Sequence, residues 1–146
     1  MSSLGRGRGV LLVMLVALSG CEPGHLERAA DGHRTGYGRR IGNLAEGRWT
    51  LFDERGARAF TGGLSEGMPT GIWKSFHADG ALQEQAVLLR GVREGPAVTF
   101  RPHGSRESSG SYRNGVRDGA WVFWTPAGEV DVAQTGAYLG GNRVGR

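Results

Sequence analysis

The sequence predicts an all-β protein: an elongated antiparallel sheet of β-hairpin repeats with a 24-residue period, preceded by a cleaved signal peptide and a flexible tether. Three observations carry this expectation. First, glycines stand 24 residues apart at Gly47, Gly71, Gly95 and Gly119, followed two places on by Trp49, Trp73, Ala97 and Trp121, and five places on by Phe52, Phe76, Phe100 and Trp124. Glycine returns nine places on at Gly56, Gly80, Gly104 and Gly128, and twenty on at Gly67, Gly91 and Gly115, with two extra residues moving the last to Gly141. A recurrence of this length marks a repeat architecture. Second, the 146 residues include 27 Gly together with 4 Trp, 5 Phe and 3 Tyr. That much aromatic content is foreign to a disordered glycine tract, so glycine must punctuate ordered structure. Third, Val10 to Leu18 is an unbroken apolar run behind Arg6 and Arg8.

Taken in chain order, residues 1–20 read as an export signal: a positive start, then an apolar run far short of the roughly 20 residues that cross a bilayer. Its end, "LSGC" from Leu18 to Cys21, resembles the lipobox of bacterial lipoproteins. The resemblance implies cleavage before Cys21 and acylation of the Cys21 thiol, then of its new amino group. It also implies residence in the bacterial cell envelope, lipid-anchored and facing the periplasm or exterior. A thiol is the side chain suited to such transfer, and two or more acyl chains hold stably where one does not. Cys21 is the only cysteine, which leaves it without a disulfide or metal partner. Glu22 is not the aspartate linked to inner-membrane retention in some bacteria, which favours the outer membrane. Residues 21–42, "CEPGHLERAADGHRTGYGRRIG", are polar and read as a tether. His25 and His33 lack a cysteine or carboxylate cluster beside them and read as solvated linker residues rather than a metal pair.

Residues 43–146 form the repeat domain, with units starting at 47, 71, 95 and 119 and Tyr37 to Glu46 as a degenerate leading half-unit. Each unit opens on a β-forming run such as "GRWTLF" or "GAWVFW". A turn follows ("DERG", "HADG", "RPHG", "TPAG") with Pro102 and Pro126 at its second place and glycine always last. That pattern predicts a three-residue hairpin loop closed by a glycine bulge. A second strand then runs to another glycine turn, of which Asn114-Gly115 is the clearest. Trp49 and Phe52 lie three apart, so either a bulge turns one of them or both faces of the sheet carry aromatics. The strand around Val130 to Tyr138 is expected at an open edge, where strand addition by a partner or another copy is favoured. The Gly-x-Trp-x-x-aromatic hairpin recurring every 24 residues resembles the MORN repeat in its bacterial variant form over Gly47 to Arg146. Ala97 in place of tryptophan and the insertion in the last unit depart from it. Bacterial proteins of this kind are often labelled antitoxin components, and related repeats act in membrane association and partner binding.

Charge and side-chain chemistry narrow the function. The net charge of +4 falls to +2 once Arg6 and Arg8 leave with the signal, and the remaining arginines are scattered among acidic residues. A nucleic-acid surface would be more basic and more clustered. Catalysis is not expected: His77 and His103 sit in turns, Asp79 is near His77, and no serine or cysteine completes a nucleophilic group. No cofactor or metal is expected, and the glycine-rich "GRGRG" and "GYGRR" precede no helix that would cradle a phosphate. The reading that remains is a lipid-anchored envelope protein serving as a protein-binding or scaffolding module. The alternative is an antitoxin or immunity-type protein neutralising a toxin, which a neighbouring toxin reading frame would favour. The tryptophan column reads first as core. A partner contact is expected at Trp73, Ala97 and Trp121, where the absent indole leaves either an apolar notch or a space filled by Leu88, Leu89 or Val98.

Overall fold

The computed structural model describes residues 24–145. Among these, eleven strands follow one another in a single antiparallel sheet whose spatial order is the order of the chain. They are β1 (His25–Arg28), β2 (Arg34–Ile41), β3 (Leu44–Phe52), β4 (Arg58–Ser65), β5 (Met68–Phe76), β6 (Leu82–Leu89), β7 (Val92–Phe100), β8 (Arg106–Arg113), β9 (Val116–Phe123), β10 (Gly136–Leu139) and β11 (Asn142–Val144). The protein is therefore all-β, a repeat-like meander of hairpins, as the period implies.

The hairpin loops follow from their residues. In each odd-to-even loop the amide of Gly56, Gly80, Gly104 or Gly128 donates to the carbonyl three residues before it, at 2.8–2.9 Å. Those glycines have φ of 79, 87, 86 and 87°, the left-handed closure of a three-residue loop with a glycine bulge. A Cβ added to Gly80 meets nothing within 4 Å, so Gly80→Val tests backbone conformation alone. It is expected to cost more than about 1 kcal/mol in urea unfolding, because a β-branched residue fits that region badly. An unchanged midpoint would refute the turn.

The sheet begins earlier than the sequence reading places it. Residues 25–28 and 34–41, in the stretch read as tether with a degenerate half-unit only from Tyr37 on, are its first two strands, and Gly32 (φ 92°) closes their loop through a bond to the Ala29 carbonyl at 2.9 Å. Gly32 stands 24 residues before Gly56, so the period does extend this far. The aromatics that would have announced the unit are missing, and pairing to β3 supplies the stability instead. The C-terminal edge also differs: Val130 to Thr135 is mostly turn, held by Asp131, and the outermost strand is β11.

Both faces of the sheet carry aromatics. β3 pairs with β4 in unbroken register from Trp49 to Leu51, and the slip before Phe52 falls on the partner strand, which skips Ala59. Alternation therefore puts Trp49 on one face and Phe52 on the other. On the Phe face, the Arg34 and Arg58 guanidiniums lie 5.6 and 3.9 Å from the rings of Phe52 and Phe76.

Between units the register shifts in a regular way. β3, β5, β7 and β9 each carry two residues more than the strand before them, at their unit-opening glycines Gly47, Gly71, Gly95 and Gly119. Their φ of 72–101° supplies the bulge, which sets the tryptophan that follows over the preceding strand.

Candidate functional site

A single-layer sheet has no second layer to bury an apolar face against. This chain solves the problem by laying three of its four indoles, those of Trp49, Trp73 and Trp121, flat on a glycine of the preceding strand. A Cβ built on Gly38, Gly62 or Gly110 would stand only 2.3–2.4 Å from carbons of Trp49, Trp73 or Trp121, in each case eleven residues later. Each indole Nε1 donates to a carbonyl ten residues before it: Arg39 at 2.9 Å, Gly63 at 2.8 Å and Ser111 at 2.9 Å. The polar end of the ring is thereby satisfied while its body is buried.

The third unit breaks this pattern at two places together. Ala97 replaces the tryptophan, and eleven residues before it Ala86 replaces the glycine. The two alanines are directly paired across β6 and β7 and are only 6 and 5 % exposed. Leu89 and Val98 sit on the other face, one residue out of phase with Ala86 and Ala97. An ion pair covers the space. Arg93 Nε and Nη2 donate to Glu84 Oε1 and Oε2 at 2.8 and 2.6 Å. Because Leu88 faces Arg93, Ala86 faces Ala97 and Glu84 faces Thr99, the bridge runs across the alanine row. The Glu84 carboxylate raises the Arg93 pKa above its ordinary value, as a bidentate pair should. A shallow hollow of about 170 Å³ remains beside it, lined by Phe60, Trp73, Ser75, Glu84, Ala86, Leu88 and Arg93.

The fourth unit packs most densely. Trp121 meets Tyr112 edge-on at 5.0 Å, Phe123 stacked at 5.9 Å and Tyr138 at 6.5 Å. The Arg117 guanidinium lies 4.9 Å from the Trp121 and Phe123 ring centres and 5.7 Å from that of Tyr138. The two-residue insertion completes this cluster. Its turn presents the Gln134 carbonyl to the Tyr138 hydroxyl at 2.8 Å, and the Gln134 side-chain amide lowers the Asp131 pKa by hydrogen bonding to its carboxylate.

The turn histidines are engaged in structure. His77 Nε2 donates to the Phe100 carbonyl at 2.8 Å, a cross-link into the next unit, and since a carbonyl only accepts, that nitrogen carries the proton. Arg101 repeats the link to the Trp124 carbonyl. His103 Nε2 bonds Ser105 Oγ at 2.9 Å, and Asp79 accepts the Ala81 amide at 2.9 Å rather than approaching His77. His33 pairs with Asp31 in the first loop.

Of the residues singled out from sequence, Trp73, Ala97 and Trp121 share one face of the sheet and are buried at 7, 6 and 1 % exposure. Cys21 lies outside the described residues. Sequence reasoning missed Glu84, Arg93 and Arg117. The signal for the arginines was present, since Arg93 and Arg117 are 24 apart. So was the signal for the glycine column at Gly38, Gly62 and Gly110, in which Ala86 is the exception. No protein-family model matches the chain, and no curated protein matches it.

Proposed function

We propose that this chain is a lipid-anchored protein of the bacterial cell envelope whose hairpin sheet binds another protein. The feature that carries the reading is the short sequence distance between a lipobox-like cysteine and the first strand. Cys21, at the end of a lipobox-like stretch, precedes the first strand by four residues. Four extended residues reach about 14 Å, so an acylated Cys21 would hold the β1 edge against the headgroups. The later units would then project away from it, with both faces of a one-layer sheet open to a partner. Reading the sheet as a binder is further supported by His77 and His103, whose Nε2 atoms serve hydrogen bonds to Phe100 and Ser105 within the sheet's own loops.

Mass spectrometry of the mature protein is expected to find an N-terminus at Cys21 carrying acyl mass, and Cys21→Ala is expected to leave the membrane fraction or stall before cleavage. A mature N-terminus elsewhere, with an unmodified Cys21 thiol, would refute the anchor.

A further inference from the structure

We infer that the hollow over Ser108, on the tryptophan face, receives a carboxylate of the bound protein, an acidic side chain held by Arg117. The inference rests on the reading of the sheet as a binder and names what the bound protein presents to it.

The repeat supplies its own reference for the site. In the third unit Arg93 reaches across the row of Ala86 and Ala97, and two of its nitrogens meet the two Glu84 carboxylate oxygens at 2.8 and 2.6 Å. One unit later the register is the same. Tyr112 faces Arg117 as Leu88 faces Arg93, and Ser108 faces Phe123 as Glu84 faces Thr99. Arg117 is thus the counterpart of Arg93, and Ser108 the counterpart of Glu84. The arginine recurs and its carboxylate does not.

Arg117 still extends as Arg93 does. Its guanidinium crosses Trp121 toward Phe123, the cross-strand partner of Ser108, and lies 4.9 Å from both ring centres. Aromatic rings attract a cation, but they do not take its five N–H donors as carboxylate oxygens do. Among the described residues the Arg117 side chain joins no ion pair and no hydrogen bond. Arg117 is only partly exposed, and withdrawal from water strengthens its pull on an anion.

In place of the missing carboxylate there is a hollow of about 310 Å³, whose lining includes Thr99, Ser108, Tyr112, Arg117 and Phe123. That volume is at the lower end of the roughly 300–1,000 Å³ of ligand pockets and suits one side chain. Ser108 is 4 % exposed, and its Oγ lies 2.8 Å from Thr99 Oγ1. One of these hydroxyls donates to the other, and the second keeps its own proton to offer. Arg101, also in the lining, spends its guanidinium on the Arg106 and Trp124 carbonyls. Glu107 lines the hollow too and forms no ion pair with Arg117. A guanidinium fork, a hydroxyl donor and the apolar walls of Tyr112 and Phe123 fit a carboxylate on a short aliphatic stem, and a planar fork favours a two-oxygen partner.

NMR titration of the full chain in detergent micelles tests the assignment with two blocked tripeptides, acetyl-Ala-Glu-Ala-amide and acetyl-Ala-Gln-Ala-amide. The glutamate peptide is expected to move the Arg117 Nε–H and Trp121 Nε1–H resonances, with a dissociation constant in roughly the millimolar range. The glutamine peptide should leave them in place. Arg117→Gln should weaken binding about tenfold or more, as loss of charge-assisted hydrogen bonds does. Ser108→Glu gives the fourth unit the carboxylate of the third. It should close the site to the peptide while melting at or above the parent temperature by circular dichroism, so that folding and binding are read separately. Still resonances at Arg117, equal binding of the glutamine peptide, or a folded Ser108→Glu protein that binds as the parent does would each overturn the assignment. Acetate or inorganic phosphate binding as tightly as the glutamate peptide would mark a site for free small anions and overturn it as well. A protein partner held equally by the parent, Arg117→Gln and Ser108→Glu would overturn this site and leave the binder reading standing. That reading fails instead if the sheet holds no protein partner, an outcome separate from the peptide titration.

Discussion

Gly110→Ala is expected to destabilise the protein by about 3 kcal/mol, the upper part of the range for overpacking a buried site. The added methyl would stand 2.3 Å from Trp121 Cδ2, and the indole has no direction in which to retreat. Its Nε1 is bonded to the Ser111 carbonyl at 2.9 Å, Tyr112 meets its ring edge at 5.0 Å, and Phe123 stacks on it at 5.9 Å. The Arg117 guanidinium lies over the same cluster at 4.9 Å from Trp121. Tilting the ring would break the hydrogen bond and open those contacts together, so the strand must move instead. Urea unfolding followed by tryptophan fluorescence measures the cost. Because the backbone at Gly110 is not in the left-handed region, a large loss would report the collision and not a φ preference. A Gly110→Ala protein with the parent's midpoint would refute the face-on seating of the indole.

The second expected effect is a coupling. Ala97→Trp alone should cost about 1–3 kcal/mol, since the Ala86 methyl and the Glu84–Arg93 bridge occupy the place the ring would take. Ala86→Gly alone should cost roughly 0.5–1 kcal/mol, the usual penalty of glycine in a strand. Made together, they recreate the glycine–tryptophan seat of the other units, and the double variant should be at least as stable as the parent. The interaction energy of the cycle should then reach about 2–3 kcal/mol in favour of the pair. Additive losses across the four proteins would mean that an indole at position 97 does not use position 86 as its floor.

Much of the fold was legible because its determinants are local. The left-handed glycines and the prolines at 102 and 126 announce the loops within four residues, and their recurrence sets the hairpin length. What was hidden depends on contacts across strands. Whether Trp49 and Phe52 share a face turns on which strand absorbs the slip near Phe52, and the skipped residue proved to be Ala59 on the partner. The pairing of tryptophan with the glycine eleven residues before it reads in sequence as one more glycine in a glycine-rich chain. The Glu84–Arg93 bridge was equally opaque, because nothing local says that a charged pair replaces a ring. The first strand and the start of the second were read as tether alone for a related reason. Their sequence is polar and glycine-containing, and it is β3, with Trp49 laid over Gly38, that gives β2, and through it β1, a strand to pair with.

The strict chain-order meander bears on how the molecule assembles. Every strand hydrogen-bonds only to the strands immediately before and after it, so no loop longer than one hairpin connection has to close before a pairing is rewarded, and the entropy of each closure is small. Such a topology lowers contact order for an all-β chain, which ordinarily folds slowly because its pairings are distant. It also divides stability into nearest-neighbour terms, as in other linear repeats. Among the four seams made equivalent by the repeat, β2–β3, β4–β5, β6–β7 and β8–β9, the one between β6 and β7 is then the weakest, because two alanines and an ion pair stand there in place of an indole on glycine. Apart from fraying of the short terminal strands, opening would start there, leaving the aromatic cluster of Tyr112, Trp121, Phe123 and Tyr138 on one side and the two leading tryptophans on the other as separate cooperative blocks.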